Sequence, residues 1–521
     1  MEKRKIVNNI FKVLSIFLAI AGGYFAYQAM TWGPWAYSDS SAYVSAARNF
    51  ALGNGLNIVK STGGIDAITE FPPLFSIVLS IFGGNRFDYL NTIRWWNIFL
   101  FSSSIFLFSQ IIFHGTGNHY FSVFASMLFV ISPQIMRTYT SAMSEPLFLF
   151  LILLLLFLYQ LIIMKRSYIL YPLFFFLSSL LPITRYAGML FVGIFGIGLF
   201  IVAKQNSLLL RIRNFIIYYL VAFLPIGFWG FLLIKKFNQF GGKYFSFKWG
   251  VFESIGKSIL EEIQVIKLWI PYVDIYQGTI RAAFFTTIGF TILFALFGWV
   301  IKQLFISKKE ISPNKKYFLI LIVLLIIGYI SFIGLTHSIT IPQIDIIDRM
   351  MVPIYPLLLI CIFLFLDIIL VRDRTSLYLS LITFIIASIG IRYNAIRSYS
   401  FINSMKTDGE GFTARAYQQS GIIDAIRSIN PKAEMISNSS GFVLFYTDRY
   451  PIQVNNFPYN TFGIGDSYGE KSFREKNAAL IILYSDFSNY YGENSENLLA
   501  TLTDALNASY IDTEGGIYYF Q

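Results

Sequence analysis

The sequence predicts an all-helical polytopic membrane protein of about eleven transmembrane helices, with an interfacial helix in its first outer loop and a small C-terminal α/β domain. Three observations predict it. Of 521 residues, 55% are hydrophobic and only 13% are charged. The charges are missing from long stretches, so segments such as 151–164 and 318–330 lie within apolar runs of roughly 20 residues, enough to cross the hydrocarbon core as helices. The last stretch, about 125 residues, returns to ordinary polarity with short helical and strand-like patterns. A soluble globular chain does not distribute its residues this way.

The predicted spans are 10–30, 95–113, 120–136, 143–164, 168–181, 186–203, 215–234, 282–301, 318–335, 351–371 and 377–391. The first follows Glu2, Lys3, Arg4 and Lys5, and its length and lack of a small-residue cleavage site mark an uncleaved helix rather than a signal peptide. The net charge of +11 resides mostly in short breaks between apolar runs: Lys165/Arg166, Lys204/Arg211/Arg213, Lys302/Lys308/Lys309/Lys315/Lys316 and Arg372/Arg374. That is the positive-inside pattern, not a nucleic-acid face, and only the 114–119 turn departs from it. It puts the N-terminus in the cytoplasm of a cell-membrane protein, and an odd number of spans puts the tail outside. Two domains are expected, a membrane domain at 1–395 and an extracytoplasmic α/β domain at 396–521. In the tail, 414–429 and 496–506 read as helical, and 434–437, 479–484 and 517–520 as strands. The single cysteine, Cys361, lies in an apolar run and is expected to pack.

The first outer loop opens Ser38-Asp39-Ser40-Ser41-Ala42-Tyr43 and reaches Gly53-Asn54-Gly55. Cap residues at one end and Gly53 at the other frame a short helix. Tyr43, Ala46, Ala47 and Phe50 share a face, which suits a helix lying flat in the membrane interface. Asp39 falls in its first turn, where the helix dipole favours a carboxylate, and a plain cap explains it as readily as a functional acid. Glu70 precedes Phe71-Pro72-Pro73-Leu74, where the prolines read as a rigid turn.

Further charges cluster where spans meet the outer surface. Glu145 opens the fourth span in Ser144-Glu145-Pro146-Leu147, a pattern that capping alone explains. Arg185 sits in a turn between two spans with little length to spare, so it stays near the membrane edge. Arg349 follows Asp345 and Asp348 just before the tenth span, and an ion pair with either acid competes with a functional role. His337 has no second ligand at a recognisable spacing and carries only a weak metal or proton-transfer suggestion. Asn438-Ser439-Ser440 and Asn507-Ala508-Ser509 fit the glycosylation sequon, a pattern short enough to arise by chance.

Together these pieces resemble the C-fold (GT-C) superfamily of membrane glycosyltransferases, which includes protein O-mannosyltransferases, the bacterial aminoarabinose transferase of lipid A and oligosaccharyltransferase subunits. The resemblance rests on an ordered set: Asp39-Ser40-Ser41-Ala42-Tyr43, Ala47-Arg48-Asn49, Gly53-Asn54-Gly55, Phe71-Pro72-Pro73-Leu74, Ser144-Glu145-Pro146-Leu147, Thr184-Arg185-Tyr186-Ala187-Gly188, and Asp348-Arg349 with Pro353 and Pro356. The O-mannosyltransferases carry an Asp-Glu pair where this chain has Asp39-Ser40, so the nearer likeness is to diverse prokaryotic members. The resemblance implies transfer of a hexosyl or pentosyl unit from a polyprenyl-phosphate sugar to a glycan, lipid or protein acceptor at the extracytoplasmic face of the bilayer. It makes Asp39 the catalytic base of an inverting transfer and leaves Glu145 and Glu70 as second acids that orient it, bind acceptor or share a divalent metal. Such a metal is admitted but not required. Arg349 and then Arg185 are the expected lipid-phosphate ligands, with Tyr43 and His337 as secondary candidates. The rivals are a transporter or lipid-linked-glycan flippase, which the outer-edge placement of the charges disfavours, and an O-antigen ligase or polymerase. A non-catalytic, glycan- or partner-binding membrane protein is a further alternative.

Overall fold

The structure, a computed structural model, describes residues 2–62, 64–84, 89–165, 169–203, 207–237, 241, 244–246, 251–275, 277–289, 291, 298, 312–341, 343–370, 376–453, 478–503 and 506–520. Among these, five helices are long and apolar enough to cross a bilayer: Asn9–Ala29, Leu90–Thr116, Glu145–Met164, Leu208–Lys236 and Pro313–Ile339. A bent pair, His119–Val130 and Pro133–Tyr139, makes up to six.

Proline accounts for two departures from the predicted spans. The straight helix expected over 120–136 turns through 65° at residues 131–132, because Pro133 has no N–H and the residue before it avoids the helical region. The span expected over 351–371 is likewise interrupted before Pro353, giving Asp348–Met351 and Ile354–Leu370. The spans at 168–181 and 186–203 become Leu170–Thr184 and Gly188–Val202, 15 residues each, or about 22 Å against a hydrocarbon core of about 30 Å. The span at 377–391 lies inside the longer helix Ser376–Thr407. The end of the span at 282–301 and the basic breaks at Lys204, Lys302/Lys308/Lys309 and Arg372/Arg374 fall outside the described residues.

The chain divides into two compact units. The first takes in Met1–Ala26, Asn97–Tyr139 and Ser144–Ile402. Its helices pack through small residues, as helices in lipid must when apolar burial alone does not drive them together. A Cβ on Gly196 would lie 2.6 Å from the Tyr219 ring, and one on Gly198 would lie 2.9 Å from Leu321. Buried tyrosines find partners, with Tyr218 donating to the Val192 carbonyl at 3.1 Å. Along Leu208–Phe237 the opposite stripe is bare: Ile216, Leu220, Leu224, Phe228 and Phe231 are each more than half exposed. In water that stripe would be an aggregation hazard, whereas acyl chains cover it without cost.

The second unit takes in Tyr27–Trp96, Thr140–Met143 and Asn403–Gln521. A five-stranded sheet runs Ile452–Gln453, Met435–Ser437, Ala479–Leu483, Gly515–Phe520, Leu506–Ile511, parallel across the first three strands and antiparallel across the rest. Ala479–Leu483 is buried throughout, which is why it reads as an unbroken apolar run. The helix Ser38–Ala51 joins the same core: Tyr43, Val44 and Ala47 cluster with Phe75, Leu79, Phe442 and Val443. Its apolar face is therefore covered by protein, not laid in the interface as its periodicity suggested, and of that face only Phe50 is substantially exposed, at 40%.

Candidate active site

In the second unit, Asp39 lies in the first turn of Ser38–Ala51, with Tyr37 at the cap position. The acid is therefore inside the helix and not its cap. It lines a cavity of about 350 Å³ shared with Glu70, Lys60, Asp66, Ser440 and Tyr450. The opposing wall comes from the C-terminal part of the chain. Gly441 makes that closeness workable, because a Cβ there would stand 3.0 Å from Ser38 Oγ and 3.1 Å from Ser38 Cα. The hairpin Asn57–Val59/Ile65–Ala67 is held to the same wall, with Ser61 N–H donating to the Tyr450 carbonyl and Tyr450 N–H to the Val59 carbonyl, each at 2.8 Å. At the rim Lys60 pairs with Asp66 at 2.8 Å, both side chains well exposed. The cavity thus brings together the predicted Asp39 and Glu70 and adds Lys60, Asp66 and Tyr450, which no pattern in the sequence singled out, and Ser440, which stood there only in a sequon.

Tyr43, expected as a secondary site residue, lies in the core of this unit. It is 3% exposed and meets Phe71 at a tilt and Phe75 edge-on, with ring centroids 4.8 and 5.1 Å away. Behind it, Asp448 closes the helix Ser440–Thr447 in the left-handed conformation, φ 60°. It accepts from Asn49 Nδ2 at 3.1 Å. Burial pushes its carboxyl up to about 6, against the pull of Arg48 and Asn49.

In the first unit, the structure brings Glu145 and Arg185 together. Arg185 Nη1 lies 2.6 Å from Glu145 Oε1 and 3.3 Å from Ser144 Oγ, with the side chains 20% and 9% exposed for Arg185 and Glu145. Arg185 reaches this place because Thr184-Arg185-Tyr186-Ala187-Gly188 is a tight turn between Leu170–Thr184 and Gly188–Val202. Gly188 is obligatory there, since a Cβ would stand 2.3 Å from the Leu181 carbonyl carbon. Nearby, Tyr329 donates to the Met350 carbonyl at 2.7 Å.

Arg349 is half-buried on Asp348–Met351 and engaged by its surroundings. Its neighbour Asp348 accepts from Trp269 Nε1 at 2.7 Å, and burial raises its carboxyl above the ordinary range. At His337, Nδ1 donates to the Ile344 carbonyl at 2.6 Å and Nε2 is 3.9 Å from Glu261. Glu262 is fully buried beside Gly334, and burial pushes it up to about 8. Among the described residues no three His, Cys, Asp or Glu side chains are grouped so as to hold a metal ion.

No protein-family model and no curated protein matches the sequence. The fold does have counterparts among solved structures. ArnT from Cupriavidus metallidurans bound to undecaprenyl phosphate superposes with a TM-score of 0.55 over 96% of this chain and 97% of that one, at 11% identity. The apo form of the same protein gives 0.56 over 98% of each chain, again at 11% identity. The chain is therefore similar in fold, from end to end, to a polytopic aminoarabinose transferase of the C-fold.

Proposed function

We propose that this chain is an inverting glycosyltransferase that moves a hexosyl or pentosyl unit from a polyprenyl-phosphate donor to an acceptor at the extracytoplasmic face of the cell membrane. The observation that carries the reading is the cavity in the second unit, where Asp39 stands with Glu70, Lys60 and Tyr450 in a chain that shares the ArnT fold along its length. Undecaprenyl phosphate, the lipid bound in that relative, is the leaving group this reaction releases.

In the proposed step the acceptor oxygen or nitrogen forms a bond to the anomeric carbon as the bond from that carbon to the phosphate oxygen breaks. The acceptor proton passes to Asp39, and the electron pair leaves with the lipid phosphate. A carboxylate in a cavity wall, partly open to solvent, suits this role. Arg349 is the first choice to hold the developing phosphate charge and Arg185 the second. Glu145 acts in this scheme by fixing Arg185, and Glu70 by binding acceptor hydroxyls. Ser440 and Tyr450 give the C-terminal domain a share in the acceptor wall.

The test is transfer of labelled sugar from polyprenyl-phosphate donors by purified protein. Wild type is expected to transfer, and a folded, inserted Asp39→Asn variant is expected to lose activity by about 10²-fold or more. Equal activity in the variant removes Asp39 from the base role. Transfer from an oligosaccharyl diphosphate donor alone moves the chain to ligase or polymerase chemistry.

A further inference from the structure

The first unit contains a second polar cavity that the proposed chemistry does not use. It has a volume of about 240 Å³ and is lined among the described residues by His114, Thr116, Gln160, Met164, Asn314 and Lys315. These residues mark the ends of three membrane-capable helices, Leu90–Thr116, Glu145–Met164 and Pro313–Ile339. Gln160 and Glu145 lie on one helix, and their separation of 160 − 145 = 15 residues at 1.5 Å each puts them about 22 Å apart. The cavity therefore belongs to the membrane edge opposite the Glu145–Arg185 pair.

Gln160 gives the cavity its chemistry. It is 3% exposed, and its Nε2 donates to the Ile111 carbonyl at 3.0 Å, which fixes the orientation of the amide. The other end of that amide, Oε1, is buried with no hydrogen-bond partner. Gly115 leaves room for the nitrogen end of the amide, since a Cβ there would stand 3.3 Å from Nε2. A buried acceptor left unmade costs free energy, so the site calls for an N–H or O–H donor. Lys315 pairs with the buried Asp367, which makes that wall neutral while leaving ammonium protons for an anionic oxygen. The level is interfacial: His119 stacks between Phe11 and Phe113, with centroids 4.7 and 4.3 Å away, and Tyr120 is 74% exposed. Met164, at the cavity mouth, is 49% exposed and offers an apolar approach from the bilayer.

We infer that this cavity binds the phosphoethanolamine headgroup of a bilayer phospholipid, with phosphate on Lys315 and ammonium on Gln160 Oε1. A headgroup with one negative and one positive charge adds no net charge to a neutral pocket, which limits the desolvation cost. A choline headgroup has no N–H for Gln160, and a phosphoglycerol headgroup brings an unbalanced charge.

The experiment is native mass spectrometry of the full-length protein, delipidated and then offered phosphatidylethanolamine, phosphatidylcholine or phosphatidylglycerol with matched acyl chains. Phosphatidylethanolamine is expected to bind about tenfold more tightly than either, equivalent to about 1.4 kcal/mol. In Gln160→Leu that preference is expected to vanish, while Met164→Leu, which keeps the amide and an apolar mouth, retains it. Melting curves of each variant confirm that the fold is kept. Equal binding of the ethanolamine and choline lipids, or a preference that survives Gln160→Leu, overturns the proposal. Soluble phosphoethanolamine that binds as tightly as the lipid overturns the bilayer source.

Discussion

The two places where predicted site residues gather use the same side-chain types in opposite ways. Glu145 and Arg185 are locked together at 2.6 Å and largely buried, each satisfying the charge of the other. Asp39 and Glu70 line an open cavity alongside the exposed Lys60–Asp66 pair. A closed pair of this kind orders its surroundings and is costly to break from one side. An acid in a cavity wall costs less to keep and faces space that a ligand can enter. The difference teaches that an ionisable residue beside an apolar run is not by itself a reacting group. Its environment decides whether it holds the protein together or acts on something else.

The comparison breaks most visibly at Arg185. Arg185→Met leaves Glu145 buried without its cation and is expected to cost about 3–5 kcal/mol of stability, read as a large drop in melting temperature. Glu145→Leu combined with Arg185→Met should recover most of that loss, since no unpaired charge remains; a double variant as unstable as the single one would show that packing, and not charge, holds the turn.

Asp448 offers a smaller effect with a defined sign. Its folded value near 6 lies above the ordinary 3.8, so the native state binds more protons than the unfolded chain between those values. Stability contributed by this group is thus greatest at low pH and falls as pH rises from about 4 to about 6. Asp448→Asn should abolish that slope, a difference of about 2 kcal/mol across the window, measurable by denaturant unfolding at several pH values. An unchanged slope would remove Asp448 as its source.

Lys60 should show the least in stability. Its pair with Asp66 is exposed, so Lys60→Met is expected to cost about 0.5 kcal/mol or less. On the proposed reading the same change raises KM for acceptor while leaving kcat nearly unchanged. A large loss of stability instead would place Lys60 with the structural pair.

Parts of this arrangement were legible in the chain. Gly53, with φ 81°, follows the end of Ser38–Ala51 as its position suggested. The strands at Met435–Ser437 and Ala479–Leu483 match the runs read from periodicity. Gly188 and Arg185 stood in one motif, and the turn explains their spacing. The partnership of Arg185 with Glu145 was not legible, because the two are far apart in sequence and each had a sufficient local explanation. Lys60, Tyr450 and Asp448 carried no signal, and Ser440 only that of a sequon unrelated to the cavity.

What the sequence by itself determined is the membrane character, the approximate places of several apolar spans and the small sheet of the tail. Apolar length, charge placement and alternation are properties of consecutive residues, and the bilayer and the strand ladder both act on them locally. Tertiary structure alone decided that Ser38–Ala51 folds into one core with Phe442 and Val443, that Asp39 faces a cavity walled by Tyr450, and that Glu145 closes on Arg185. Those outcomes depend on which distant side chains exclude water from one another, and no local run of residues contains that information.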